Sequence, residues 1–189
     1  MKKNPALTGF IISVLVVIMA FGVYFVFLAK KDYFLVDNPT PEVYYFRLND
    51  DDERIITSGQ YIKVDMPRGK NSIKVYDEKK TMLYDSVFTV NKGRGLLNIS
   101  HQDYYINTQY YGYDLKRDSL LSAIGTTMID GKAYHGAPKL FNSLYTDDFY
   151  YNLDEKYDPV VKNIQKVEAR TKIFRKQDFL NYYKEYYQF

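Results

Sequence analysis

Residues 6–29 read ALTGFIISVLVVIMAFGVYFVFLA, a run of 24 without one charged side chain. A helix that crosses the hydrocarbon core of a bilayer needs about 20 such residues. Lys2 and Lys3 stand on one side of the run and Lys30 and Lys31 on the other, where long cationic stems reach the headgroups. Tyr24 falls where an interfacial aromatic would. A cleaved secretory signal has an apolar stretch of about 7–15 residues and ends at a small-x-small site. This run is longer and ends Phe27-Leu28-Ala29-Lys30-Lys31. The expectation is therefore an uncleaved signal anchor, residues 1–31, that meets the lipid bilayer through residues 6–29. Gly9 and Gly22 are too far apart for a GxxxG dimer contact. The lysines on the two flanks nearly balance. The very short, wholly basic N-terminal tail tips the expected orientation toward a periplasmic or otherwise extracytoplasmic C-terminal domain.

The anchor also explains the charge. The chain has 26 Lys+Arg against 23 Asp+Glu, a net +3. Four of those lysines flank the apolar run, which leaves 22 basic and 23 acidic side chains in residues 32–189. The basic balance thus belongs to a membrane segment and not to a nucleic-acid surface, and no nucleic-acid partner is expected. Within the remainder, residues 32–161 are acidic, whereas residues 162–189 carry seven basic and three acidic groups. Such an asymmetry is read either as a solvated surface or as a docking role for the basic end. The chain has no Cys. That excludes a disulfide scaffold, a thiolate metal site, a Cys nucleophile and a Cys-linked lipid.

Residues 32–99 read as short strands punctuated by turns. Prolines in Asp37-Asn38-Pro39-Thr40-Pro41 forbid helix. In residues 42–48 Val43, Tyr45 and Arg47 alternate with Tyr44, Phe46 and Leu48. In residues 61–66 Ile62, Val64 and Met66 alternate with Tyr61, Lys63 and Asp65. Ile73 and Val75 follow the same rule, and residues 82–90 place Met82, Tyr84, Phe88 and Val90 on one face. Asn91-Lys92-Gly93-Arg94-Gly95 reads as the closing turn. Short runs at this spacing, each ended by Gly, Pro, Asp or Asn, predict an antiparallel β-sandwich. Residues 100–189 read as a smaller β-rich subdomain. It holds a strand over 104–113, a helical turn capped by Asp118 and an Asp130-Gly131 hairpin. A loop over 135–159 and a strand over 162–175 follow. Its last element is a helix over 177–188, whose Phe179, Tyr182, Tyr183 and Tyr186 share one face. The expected fold class is mainly β, between an N-terminal membrane helix and a C-terminal α-helix.

The stretch 33–90 resembles the PEGA and carboxypeptidase-regulatory β-sandwich modules. It has Asn38-Pro39-Thr40-Pro41 before a strand, then the polar turn Asn49-Asp50-Asp51-Asp52. After these comes Met66-Pro67-Arg68-Gly69-Lys70-Asn71-Ser72-Ile73-Lys74-Val75, similar to the Pro-x-Gly hairpin of those modules; the PEGA tetrapeptide itself is absent. The layout also looks like that of membrane-anchored envelope proteins of Gram-negative bacteria. The resemblance implies a binding or structural role and carries over no site residue.

No constellation in the chain compels a reaction. Asp50-Asp51-Asp52-Glu53 lacks the alternation and central Gly of an EF-hand loop, so it reads as a solvated turn. His101 and His135, with Asp103 or Asp130, fall short of a recognisable zinc spacing. No GxSxG elbow supports a Ser-His-Asp triad, and Lys92-Gly93-Arg94-Gly95 lacks the ending of a phosphate loop. No cofactor is expected. Asn98-Ile99-Ser100 is a formal glycosylation sequon. The unusual resource is tyrosine, 21 of 189 residues with no Trp, grouped at Tyr104, Tyr105, Tyr110, Tyr111 and Tyr113 and again at Tyr145–Tyr157. Tyr offers a rigid amphipathic ring, suited to cores and to interfaces.

The sequence thus predicts a single-pass membrane protein whose extracytoplasmic domain has a non-enzymatic role in the cell envelope. Its candidate binding residues for an envelope protein or glycan are Tyr145, Phe149, Tyr150, Tyr151 and Tyr157, on a long irregular loop. One alternative is a metal- or carboxylate-dependent hydrolase built on His135, Asp147 and Asp148. Another is a cytoplasmic-facing accessory subunit whose basic end lies near anionic lipid.

Overall fold

A computed structural model describes residues 5–28, 33–112, 116–147, 153, 156–157, 159–162, 164 and 166–187. The chain divides into two compact units, Met1–Asp32 and Tyr33–Phe189. In the first, helix α1 (Pro5–Val23) continues into a π-helical turn over Tyr24–Leu28. Nineteen helical residues at 1.5 Å each span about 28 Å, and the added turn carries the element past the roughly 30 Å hydrocarbon thickness. Its side chains from Gly9 to Val26 are all exposed. The helix is long and apolar enough to cross a membrane.

The second unit is mainly β, as its alternating runs predict. Its strands are β1 (Tyr33–Asp37), β2 (Tyr44–Leu48), β3 (Arg54–Ile56), β4 (Tyr61–Val64), β5 (Gly69–Tyr76), β6 (Met82–Val90) and β7 (Arg94–Asn98). After these come β8 (Tyr104–Tyr111), helix α2 (Arg117–Ile124), the hairpin β9 (Thr126–Ile129) and β10 (Lys132–His135), then β11 (Lys139–Phe141) and β12 (Tyr145–Thr146). β13 (Glu168–Arg175) and helix α3 (Lys176–Tyr187) end the described chain.

The sheets stack in layers. The outer sheet has the order β3-β2-β5-β6 and the next has β12-β7-β1-β4. Between them lies one core of Phe34, Val36, Phe46, Leu48, Ile56, Val64, Ile73, Val75, Phe88, Val90 and Leu97. A third sheet, β11-β8-β13, covers the opposite face of the second through Leu35, Leu96, Tyr104 and Ile173. The far face of that third sheet packs on α3 and the β9–β10 hairpin, through Tyr105, Ile129, Phe174, Phe179 and Tyr183.

This layering corrects several expectations. Residues 94–98 are not the end of a turn but strand β7, paired with β1 in parallel register, Leu35 opposite Leu96. The sandwich is therefore antiparallel with one parallel pairing at its centre. β1 and β7 are covered on both faces, so they lack the polar alternation that marks a half-exposed strand. β12, inside the stretch expected to be loop, hydrogen-bonds to β7, with Tyr145 opposite Leu97. β11 lies in the same stretch and pairs with β8. The segment after residue 100 thus completes a sheet begun by residues 33–98. β13 begins at Glu168, six residues later than expected. α2 begins at Arg117, which puts Asp118 inside the helix instead of at its cap. Met82 is 56% exposed, not in the core with Phe88 and Val90. An irregularity pairs Val75 with Tyr84 but Tyr76 with Met82, and the extra residue reverses which face Met82 takes.

The turns match their chemistry. Asp130 and Gly131 both have positive φ, 49° and 76°, as a type I′ hairpin requires. Asn49 and Asp50 do the same at 51° and 62°. Their acidic neighbours are charge-paired: Asp50 with Lys74 at 2.6 Å, and Glu53 with Lys80. The Asn38-Pro39-Thr40-Pro41 bend is held by the fully buried Asn38. Its Nδ2 donates to the carbonyls of Glu42 and Thr57 at 2.7 and 3.0 Å, and its Oδ1 accepts from the Thr40 hydroxyl at 2.7 Å. Asn98 is equally buried and bonds at both ends of its amide to Gln102, so the folded chain does not offer this sequon for glycosylation.

Candidate functional site

Strand periodicity decides what β13 offers each layer. Thr171, Ile173 and Arg175 face the second sheet; Arg170, Lys172 and Phe174 face the helix layer. Ile173 accordingly sits in the core beneath, and Arg175 reaches the carboxylate of Asp37 on β1. α3 has the complementary 3.6 period. Phe179 and Tyr183 are buried against Tyr105 and Tyr134, Tyr182 is half-buried, and Tyr186 is 50% exposed at the rim.

Between the outward row of β13 and the outer edge of α3 lies a groove of about 410 Å³. Its walls are Tyr157, Phe174, Tyr182 and Tyr186 together with Lys156, Arg170 and Lys172. The rings form a continuous series. Phe174 stacks on Tyr182 at 5.0 Å between centroids, Tyr182 meets Tyr186 at 4.7 Å, and Tyr157 leans on Phe174 and Tyr182 at 5.8 and 5.7 Å. The cations lie against ring faces, Arg170 at 5.0 Å from the Tyr157 centroid and Lys172 at 5.2 Å from that of Phe174. Tyr157 is fixed from below, since its hydroxyl accepts from Nδ2 of the buried Asn107 at 2.7 Å. Arg170 Nε donates to Gln109 Oε1 at 2.7 Å, which sets the guanidinium plane. Among the described residues the lining holds three cations and no carboxylate.

A second cavity, about 320 Å³, opens beside the start of α3 and is lined by Pro39, Gln102, Asp103, Arg175, Lys176, Gln177 and Asp178. Its charges are mixed, and Lys176 is committed to Asp130 at 2.7 Å. Beneath it is the buried polar centre of the fold. Arg175 clasps Asp37 with both Nε, at 3.0 Å, and Nη2, while the Tyr104 hydroxyl donates to the same carboxylate at 2.6 Å. Burial pushes the Asp37 carboxyl above its ordinary value, and the bonds from Arg175 and Tyr104 pull it part of the way back. Burial, followed by the nearby Asp37 charge, also raises the Tyr104 phenol. This cluster joins the second and third sheets and serves the fold.

The candidate residues of the sequence reading part company. Tyr145 belongs to the sandwich, its ring 4.9 Å from Phe88. Tyr157 lines the groove. Phe149, Tyr150 and Tyr151 lie outside the described residues, as does Asp148. Asp147 is buried and its carboxylate accepts the amides of Asn91 and Lys92 at 2.7 and 3.1 Å, closing the turn before β7. His135, on β10, receives the Tyr183 hydroxyl as partner of its backbone amide, 2.9 Å away. Neither His135 nor Asp147 lines either cavity. His101 packs its ring on Tyr84 at 5.0 Å.

No protein-family model, curated protein or solved structure matches the chain. The groove therefore stands on its own chemistry. Of its residues, Lys156, Arg170, Lys172 and Phe174 were not singled out by sequence, and Tyr182 and Tyr186 were read as one face of the terminal helix, not as part of a site. The available signal was the Arg-x-Lys-x-Phe alternation ahead of a helix with tyrosines at 182 and 186.

Proposed function

We propose that this chain is a single-pass membrane protein whose β-domain lies outside the cytoplasm and has a non-enzymatic binding role in the cell envelope. The observation that carries the reading is the groove between β13 and α3, where four rings and three cations share one surface. A concave site with aromatic walls and a few placed polar groups is the usual form of a ligand pocket. The anchor supports the same reading, because an uncharged helix flanked by lysines would tether the domain at a bilayer. The resemblance of residues 33–90 to PEGA-type modules points to binding rather than catalysis.

The reading is tested by placing a photo-crosslinking amino acid at position 186, on the groove rim, or at position 55. Ile55 is also 50% exposed but lies on β3 in the opposite outer layer. Irradiation of intact cells should give adducts to one envelope component from position 186 and none from position 55. Equal adducts from both positions, or none from either, would contradict the proposal.

A further inference from the structure

We infer that the groove between β13 and α3 takes an acidic glycan, a chain of sugar rings that carry carboxylate or phosphate groups. The inference rests on the binding role proposed above and names the ligand class.

Three features converge on that class. The first is shape: about 410 Å³ is within the 300–1,000 Å³ range of small-ligand sites and has room for on the order of two sugar rings. The second is the ring series. Tyr157, Tyr182 and Tyr186 bring flat faces with a hydroxyl at the edge. The apolar C–H face of a pyranose lies on such a ring while its hydroxyls bond to the phenol. The rings are set before any ligand arrives, because Tyr182 stacks on the buried Phe174 and Tyr157 is bonded to Asn107. A preformed platform spares the ligand the ordering cost that weakens most contacts.

The third feature is charge. Lys156, Arg170 and Lys172 line the same surface, and Arg170 and Lys172 belong to the basic end of the chain, where residues 162–189 hold seven basic and three acidic groups. The Arg170 fork matches a carboxylate or phosphate in two-point geometry, whereas lysine acts as a point charge. A neutral sugar would use the rings and draw nothing from the positive charge. An acidic peptide would use the cations and leave most of the ring surface idle. An acidic glycan uses both at once.

The test uses the full chain in nanodiscs and isothermal titration calorimetry. The probes are trigalacturonate, which has a carboxylate on each ring, maltotriose, which has rings without charge, and triaspartate, which has charge without sugar rings. Trigalacturonate should bind saturably, at least tenfold tighter than either other probe, and binding should weaken as salt rises. Lys172→Gln and Tyr186→Ala should each weaken it at least fivefold, while Lys132→Gln on the exposed β10 should leave it unchanged. Tyr186 is at the rim, so its variant should keep the parental thermal midpoint. Absence of saturable trigalacturonate binding would overturn the inference, as would equal binding of maltotriose or of triaspartate. Indifference to both groove variants would do the same. Triaspartate binding lost in Lys172→Gln would reject the glycan and keep the binding site. The wider binding role falls only on the crosslinking result at position 186.

Discussion

Arg175→Met should be among the most damaging single substitutions in the β-domain. The Asp37 side chain has no solvent exposure and Arg175 retains 20%. Removing the guanidinium leaves Asp37 with the Tyr104 hydroxyl as its one remaining side-chain hydrogen-bond partner among the described residues. Breaking a buried pair from one side costs about 3–5 kcal/mol, because the stranded charge has lost both its partner and its water. The loss should depend on pH. Burial already raises the Asp37 carboxyl, and the variant raises it further. A group raised on folding stabilises below its unfolded value and loses that contribution as pH climbs through the folded one. Between the parental and variant values, the deficit of Arg175→Met should therefore grow by up to about 1.4 kcal/mol per pH unit as pH rises, and shrink in acid.

The assay is urea unfolding of the full chain in nanodiscs, followed by tyrosine fluorescence at pH 7 and pH 5. Adding Asp37→Asn removes the charge and keeps an acceptor for Tyr104. The double variant should recover about 2 kcal/mol of the loss. A deficit below about 1 kcal/mol at pH 7 would refute the reasoning. A deficit equal at both pH values, or unchanged by Asp37→Asn, would refute it as well.

Other substitutions probe other layers. A Cβ on Gly95 would lie 2.6 Å from the Tyr145 hydroxyl and 2.8 Å from the Thr146 carbonyl. Gly95→Ala should therefore push β12 from β7 and cost about 1–3 kcal/mol, read as a lower thermal midpoint. Phe179 is fully buried under Tyr105, Tyr134, Phe174 and Tyr183. Phe179→Ala should cost about 3–5 kcal/mol and expose α3 to limited proteolysis. Val16→Asp places a charge mid-way along α1, at about 2.5–3.5 kcal/mol on the insertion scale. It should move protein from the carbonate-resistant membrane fraction to the soluble one.

What could be read in the sequence follows from how each strand is covered. β2, β4 and β5 have one face in the core and one toward water, so Phe46, Leu48, Val64, Ile73 and Val75 announce themselves by alternation. β7 has Gly95, Leu96, Leu97 and Asn98 buried in succession, and a strand covered on both faces has no period to detect. β12 is two residues long and exists because β7 offers it an edge, which no local pattern encodes. α3 was legible from its aromatic spacing. Its meeting with β13 and Tyr157 was not, because the groove joins segments whose contact depends on the layer order. The charge count did hold a trace of it, in the basic excess after residue 162.

The most direct test of the central claim, a tethered domain outside the cytoplasm, is the side of the membrane on which Ser58 lies. The chain has no Cys, and Ser58 is exposed in the turn between β3 and β4. A Ser58→Cys variant can therefore be labelled with a membrane-impermeant maleimide against no background. In intact cells, or in cells with only the outer membrane opened, the account predicts labelling before lysis. Labelling that requires lysis would place the domain in the cytoplasm and contradict the account.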